Sequence, residues 1–297
     1  MKTVKGYKAV NKNLEATRGD KPFKYEIGKE YVEDEAKLCS KGFHFCENPL
    51  DTLNYYDLCD SRFFEIEARD VSDEKNDKDT KRVSKRIKLV TEIGLPKLIK
   101  LSFDYIKEQC EVKDENVIND SGYYSQVATS GDSSQVATSG DYSQVATSGD
   151  YSKVATSGYS SKVATSGDYS KVATSGYSSQ VATSGDYSQV ATSGDSSKVA
   201  TSGDSSKVAT SGDSSKVATS GTCSKVAIDG EYSVGMCAGY DSKIKGKKGN
   251  WITLAEWEYN SKINKCIPVC VKSAQIDGEM LKEDTWYILE NGEFKEC

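Results

Sequence analysis

Ser148-Gly-Asp-Tyr-Ser-Lys-Val-Ala-Thr156, Ser157-Gly-Tyr-Ser-Ser-Lys-Val-Ala-Thr165 and Ser166-Gly-Asp-Tyr-Ser-Lys-Val-Ala-Thr174 are three consecutive copies of one nine-residue unit. The valines from Val127 to Val226 recur nine apart without a slip, and the pattern then decays through Val234 and Ile244. Self-similarity at a fixed period marks a repeat architecture. Nine residues are too few for a helical hairpin, and a Ser-Gly pair in every unit breaks any helix. Ser-x-Val-Ala-Thr suits a short strand, and Ser-Gly-Asp suits a corner.

The tyrosines set the coil length. Tyr151, Tyr169 and Tyr187 lie 18 apart at one repeat position, and Tyr159 and Tyr177 lie 18 apart at another. Units therefore alternate between two types, as expected if one coil holds two units (18 residues) and like residues stack directly. The expected fold is mainly β: a nonapeptide-repeat β-solenoid over residues 121–246, flanked by an N-terminal α+β domain (1–115) and a small C-terminal β cap (250–297). Seven coils at strand spacing give a rod of roughly 34 Å. Its core of Val with Ala or small hydroxyl side chains is thin, so stability rests on the backbone ladder and nearest-neighbour stacking. Open ends template aggregation, and the flanking domains are the expected caps.

In the first flank, residues 3–10, 24–32, 42–46, 62–68 and 82–93 read as strands, with Gly28 as a bulge. Asn48-Pro49 opens a helix expected to reach Leu58, with Asn as N-cap and Pro at the first helical position. Leu95 to Cys110 reads as a helix packing Leu98, Ile99, Phe103 and Ile106. In the last flank, 251–259 and 266–273 read as strands. Asp277-Gly278 and Asn291-Gly292 mark turns, the latter after Trp286-Tyr-Ile-Leu289.

Hydrophobic residues make up 36% of the chain and the formal net charge is −6, with acids and bases interspersed. No basic footprint for nucleic acid or an anionic membrane is present. No apolar run approaches a bilayer span, and no signal core follows Met1. A cytoplasmic protein with reduced thiols is expected; the nine scattered cysteines do not form a disulfide framework. Between Ser121 and Ile228, eight Asp face seven Lys, which is too neutral for a duplex mimic or a DNA-binding rod.

Lys5-Gly-Tyr-Lys-Ala9, Lys41-Gly-Phe-His-Phe-Cys-Glu-Asn-Pro-Leu50, Asn54-Tyr-Tyr56 and Arg62-Phe-Phe-Glu-Ile-Glu67 resemble a family of uncharacterised bacteriophage and prophage domains. Similar proteins continue into Ser-Gly-Asp-Tyr-Ser-like repeats and end in segments like Asp277-Gly-Glu279 with Asp284-Thr-Trp-Tyr287. The resemblance spans nearly the whole chain and implies a viral or prophage origin with no known activity. Two remoter likenesses exist. Gly42-Phe-His-Phe-Cys-Glu-Asn-Pro with Asn54-Tyr55 is similar to a segment of ADP-ribosyltransferases, and the repeats are similar to the β-roll heads of trimeric adhesins.

Candidate chemistry is sparse. His44 lies beside Cys39 and Cys46, where a metal or nucleophile reading competes with a half-buried strand histidine among incidental thiols. Glu65 and Glu67 share a strand face, and the alternation makes that a solvated face. A transferase would also carry His or Arg on its first strand, where this chain offers Lys5, Tyr7 and Lys8. Cys266-Ile-Pro-Val-Cys270 has no second pair of zinc spacing. The Arg18-Gly-Asp20 tripeptide reads as a turn. The repeat aspartates lack the Gly-rich calcium turn, and the threonines lack a flat Thr-x-Thr ice-binding array. No cofactor, metal or catalytic residue is expected. The expected function is a non-enzymatic phage-type binding or scaffold protein with a protein partner, such as a host defence factor in the bacterial cytoplasm. The expected contact residues are Tyr142, Tyr151, Tyr159, Tyr169, Tyr177 and Tyr187. A degenerate ADP-ribosyltransferase and a trimeric fibre component, with the roll as a homo-oligomer, are the alternatives.

Overall fold

The computed structural model describes residues 3–17, 22–76, 79–110 and 117–297. The Arg18-Gly-Asp20 tripeptide and the side chains of Phe103 and Ile106 lie outside the described residues. The chain divides into two compact units, Met1–Tyr105 and Ile106–Cys297.

The second unit is a β-solenoid of about 7 turns over residues 126–254. Alternate units feed two parallel sheets. Lys153–Thr156 pairs in register with Lys171–Thr174, placing Val154 beside Val172, while Lys162–Thr165 pairs with Gln180–Thr183 in the other sheet. The coil is therefore two units long. Val and Thr are buried in both sheets, as at Val154, Thr156, Val163 and Thr165; the alanines of the nine-stranded sheet are exposed, whereas Ala137, Ala155, Ala173, Ala191, Ala209 and Ala227 of the ten-stranded sheet are buried. The valine columns merge at the C-terminal end with Ile228, Ile244, Ile252 and Leu254. Each buried valine contributes about 1.5–3 kcal/mol. The inward threonines rule out a surface Thr array: Thr156 and Thr174 are buried and form strand pairs inside the coil.

Each consensus residue at the corner has a separate role. The left-handed position belongs to the residue after Asp, with φ of 58° at Tyr151, 55° at Tyr169 and 57° at Ser196. The repeat glycine has no such φ. It is required by close approach, because a Cβ on Gly167 would lie 2.1 Å from the Gly149 carbonyl oxygen one coil below. The Asp is structural too: the Asp168 N–H donates to Asp150 Oδ1 at 2.9 Å, and Asp186 repeats this on Asp168 at 2.8 Å. Ser152 Oγ donates to the Gly149 carbonyl at 2.7 Å. Carboxylates committed to this ladder are not arranged as a calcium turn.

At the C-terminal end the parallel ladders pass into antiparallel hairpins. Trp251–Asn260 pairs in parallel with Val234–Cys237 and then antiparallel with Lys265–Gln275. Tyr287–Glu290 pairs with Lys243–Gly246 and with Glu293–Glu296. The turn at Asn291-Gly292 has both residues at positive φ, 54° and 69°, as a two-residue hairpin requires. Buried Asn250 imitates a further coil: its Nδ2 donates to the Ile228 and Gly230 carbonyls, and its Oδ1 accepts from the Ser233 N–H.

The first unit is built on β1 (Val4–Asn11), β2 (Glu15–Ala16), β3 (Phe23–Lys24), β4 (Glu30–Val32), β5 (Phe43–Cys46), β6 (Ser61–Val71) and β7 (Lys81–Ile93), with α1 (Leu95–Cys110) after them. The sheet order is β4-β7-β5-β1-β6, and an added β6–β7 pairing closes the strands on themselves. Val10, Phe43, Phe45, Phe64, Ile66 and Ile87 form part of the enclosed core. The single strand expected over 24–32 is instead β3 and β4 separated by a turn. Gly28 takes φ 84° there while its N–H donates to the Leu89 carbonyl. The helix expected to reach Leu58 is a six-residue 3-10 turn, Pro49–Asn54, with Asn48 capping the Leu50 N–H as expected. Its buried Asp51 accepts from both the N–H and the hydroxyl of Thr80, which ties the segment to β7 and not to a longer helix.

Candidate functional site

The tyrosines form two columns. Tyr151, Tyr169 and Tyr187 stack with ring centroids 5.1 and 5.0 Å apart and interplanar angles of 7° and 5°. Tyr159 stacks on Tyr177 at 5.3 Å and 11°, and Tyr142 meets Tyr159 edge-on at 6.1 Å. Tyr123 and Tyr124 extend this second column, with Tyr124 stacked on Tyr142 at 5.2 Å. Those two belong to the first, imperfect unit, but the 18-residue step from Tyr124 to Tyr142 was the signal that identifies them. Tyr151, Tyr169 and Tyr187 remain 57%, 44% and 51% exposed as residues despite the stacking. Shallow, mainly apolar troughs also run along the outward Ala column of the nine-stranded sheet, edged on one side by Gln and Lys side chains such as Gln144, Lys162 and Gln180 and on the other by the Ser column.

A second candidate lies in the first unit around His44, Cys39 and Cys46, where the sequence set a metal or nucleophile reading beside that of a half-buried strand histidine. β1, β5 and β7 meet there in register: Tyr7 lies opposite Cys46, which lies opposite Lys81. They bound a cavity of about 490 Å³ walled by Tyr7, Phe23, Tyr25, Phe43, Tyr55 and Tyr56. Its polar groups include Lys8, Glu33, Cys39, His44, Thr52 and Lys81. Lys8 is 7% exposed and donates to the His44 carbonyl at 2.7 Å. Its Nζ lies 5.4 Å from the centre of the Tyr25 ring, and the Lys81 Nζ lies 4.6 Å from that of Tyr55. Lys81 also reaches Cys39 Sγ at 3.3 Å.

The electrostatics are those of a positive, poorly solvated recess. Burial pushes Lys8 down to about 8, with the Lys81 charge acting in the same direction and Cys46 opposing it. Burial, then Lys81, then Lys8 push His44 down to about 4, so the imidazole is neutral at pH 7. Its Nε2 accepts from the Cys39 N–H at 3.0 Å, which fixes that nitrogen as the unprotonated one. The histidine anchors the turn at Cys39, itself at φ 59°. Among the described residues, no group of three or more His, Cys, Asp or Glu is placed to hold a metal. Glu65 and Glu67 lie outside the cavity lining, and Glu65 pairs with Lys97 at 2.8 Å. Cys266 and Cys270 lie on the C-terminal hairpin as free thiols.

The molecule is thus a nonapeptide β-solenoid preceded by a small closed β unit. Residues 4–101 match the family described as a domain of unknown function (DUF7666), a span that contains the whole cavity from Tyr7 to Lys81. No curated protein and no solved structure matches the chain. No described helix is long and apolar enough to cross a membrane.

Proposed function

We propose that the chain is a non-enzymatic binding or scaffold protein of phage type that engages a protein of the bacterial host, such as a defence factor, in the cytoplasm. The rod is the recognition surface. The observation that carries this reading is the pair of tyrosine columns. Stacking holds the rings in fixed positions, so little side-chain entropy remains to be lost on contact, yet each residue of the first column stays about half exposed. Rigid, partly exposed tyrosines are favoured contact residues. The near balance of Asp and Lys in the repeats supports a protein partner over nucleic acid.

The test is partner capture from host lysate, identified by mass spectrometry, with wild type beside the triple substitution of Tyr151, Tyr169 and Tyr187 by Ser. Ser already fills the same left-handed position at Ser196 and Ser205, so the variant keeps the fold. Specific capture lost in the variant, with the circular dichroism spectrum unchanged, supports the reading. Equal capture by both refutes the rod as the recognition surface.

A further inference from the structure

Lys8 is a buried ammonium with three N–H donors, of which the His44 carbonyl takes one. Ammonium groups out of water are normally paired with a carboxylate. Among the described residues, neither Lys8 nor Lys81 has such a partner. Glu33 is the one carboxylate among the described lining residues, and it forms no ion pair with either lysine. The other neighbours of the two cations are aromatic faces and thiols: Tyr25 and Cys46 for Lys8, Tyr55 and Cys39 for Lys81. Among the described residues, the His44 carbonyl is the hydrogen-bond acceptor found for the Lys8 ammonium. The cavity volume of about 490 Å³ lies within the range of small-ligand sites.

We infer that this cavity binds a small aromatic oxyanion, its carboxylate or phosphate held by Lys8 and Lys81 and its planar ring placed among Tyr7, Tyr25, Tyr55 and Tyr56. The neutral His44 adds no competing charge, and its fixed Nε2 holds the Cys39 turn at the cavity edge. The ligand supplies the counter-charge that the fold withholds, and the ring fills apolar volume that water fills poorly. This inference concerns the first unit alone and stands independently of the tyrosine columns.

The experiment is calorimetric titration of the full chain with 4-hydroxybenzoate and adenosine 5′-monophosphate, beside the neutral analogues 4-hydroxybenzamide and adenosine and inorganic phosphate alone. Saturable binding of at least one aromatic oxyanion is expected, at least tenfold tighter than its neutral analogue. Which of the two binds separates a carboxylate from a phosphate site. The same titration on Lys8→Met and on Lys81→Gln should weaken binding at least tenfold, while Lys8→Arg should retain part of it. Circular dichroism melts establish that each variant is folded. Failure of both oxyanions to bind at millimolar concentration overturns the inference. So does equal binding of the neutral analogues, or binding that both folded lysine variants leave unchanged.

Discussion

Replacing Gly167 with Ala is the sharpest perturbation of the rod, because two views of that glycine predict opposite signs. If glycine only supplies flexibility at the corner, Ala at a position without a left-handed φ stabilises by about 0.4–1 kcal/mol through the unfolded chain. The geometry says otherwise. The added Cβ would stand 2.1 Å from Gly149 O, 2.4 Å from Gly149 C and 2.8 Å from the Asp150 N. All three are backbone atoms, so no side chain can turn away. Restoring ordinary contact separates adjacent coils by about 1 Å, and overpacking of this kind costs about 1–3 kcal/mol. The separation also stretches the bonds that cross the corner, Asp168 N–H to Asp150 Oδ1 at 2.9 Å and Tyr151 N–H to the Asp168 carbonyl at 2.8 Å. Each contributes about 1 kcal/mol net. The total loss is about 3–5 kcal/mol.

The control is Ser196→Gly, where φ is 57°. Relief of a left-handed side chain gains about 1–2 kcal/mol, and the more flexible unfolded chain returns about 0.5–1. The result should be neutral to slightly stabilising. Urea unfolding followed by circular dichroism compares the three proteins. Hydrogen exchange of the Asp168 and Tyr151 amides localises the effect, because repeat arrays need not unfold in one step. A Gly167→Ala protein within 1 kcal/mol of wild type, or a Ser196→Gly protein that loses as much as the alanine variant, refutes the close-approach argument.

Deleting Ser157 to Thr174 removes one coil and leaves like residues stacked: Tyr187 takes the place of Tyr169 on Tyr151, and Tyr177 takes that of Tyr159 beside Tyr142. Deleting only Ser157 to Thr165 moves the following units to the opposite sheet: Ser178 comes onto Tyr151, but Tyr169 comes onto Tyr142 and stays on Tyr187, so stacks of about 0.5–1.5 kcal/mol each survive in both proteins and thermal melts should show both deletions folded. Lys8→Met should raise the melting temperature of the first unit at pH 7. The gap between about 8 in the fold and 10.5 outside it amounts to about 3 kcal/mol against folding. Loss of the bond to the His44 carbonyl offsets about 1 of that. Below pH 8 the native chain carries the buried charge at full cost. Between pH 8 and 10.5 it gives up a proton that the unfolded chain keeps, so wild type gains stability with rising pH. The advantage of the Met variant should therefore shrink above pH 8, and paired calorimetric scans at pH 7 and pH 10 check this.

The rod was legible because its information is local and repeated: the nine-residue spacing of valine gives the strand, and the 18-residue spacing of like tyrosines gives the coil. The corner was legible only in part. The usual association of glycine with a left-handed φ fails here, since stacking claims the glycine and leaves Tyr or Ser to adopt that conformation. In the first unit, Gly28 was read as a bulge in one strand because both sides of it are β-prone. Only the long-range bond to Leu89 reveals a turn. The cavity was legible only at His44 with its neighbours Cys39 and Cys46. Lys8, His44 and Lys81 are spread over more than seventy residues and share no motif, and they meet only through the pairing of β1, β5 and β7. Sequence pattern ranks a lysine in an alternating strand as solvated. Nothing local reports that this one is enclosed without a carboxylate.

The repeats themselves contain a comparison that bears on the tyrosines. The left-handed corner position is held by Tyr at 142, 151, 169 and 187, by Ser at 160, 178, 196, 205 and 214, and by Cys at 223, all with φ between 54° and 59°. The backbone is thus indifferent to the side chain there, and the fold does not call for tyrosine. The inward positions behave differently: Val and Thr persist through nearly every coil because packing enforces them. Tyrosine is also clustered towards the N-terminal half of the rod, where the columns run from Tyr123 to Tyr187; serine or cysteine holds the position from Ser196 to Cys223, and tyrosine returns only at Tyr232 in the last coils. A ring contributing only to coil stability would serve equally well in every unit. A ring serving a contact is needed only where the partner sits, which places the proposed contact on the first four coils. Changing Ser196 and Ser214 to Tyr builds a three-ring column with Tyr232, each 18 residues from the next, and changing Tyr151, Tyr169 and Tyr187 to Ser removes the original one, so two stacks are kept and the backbone is unchanged. Stability should be conserved and capture lost; capture that survives the transfer would show that the location of the columns carries no information.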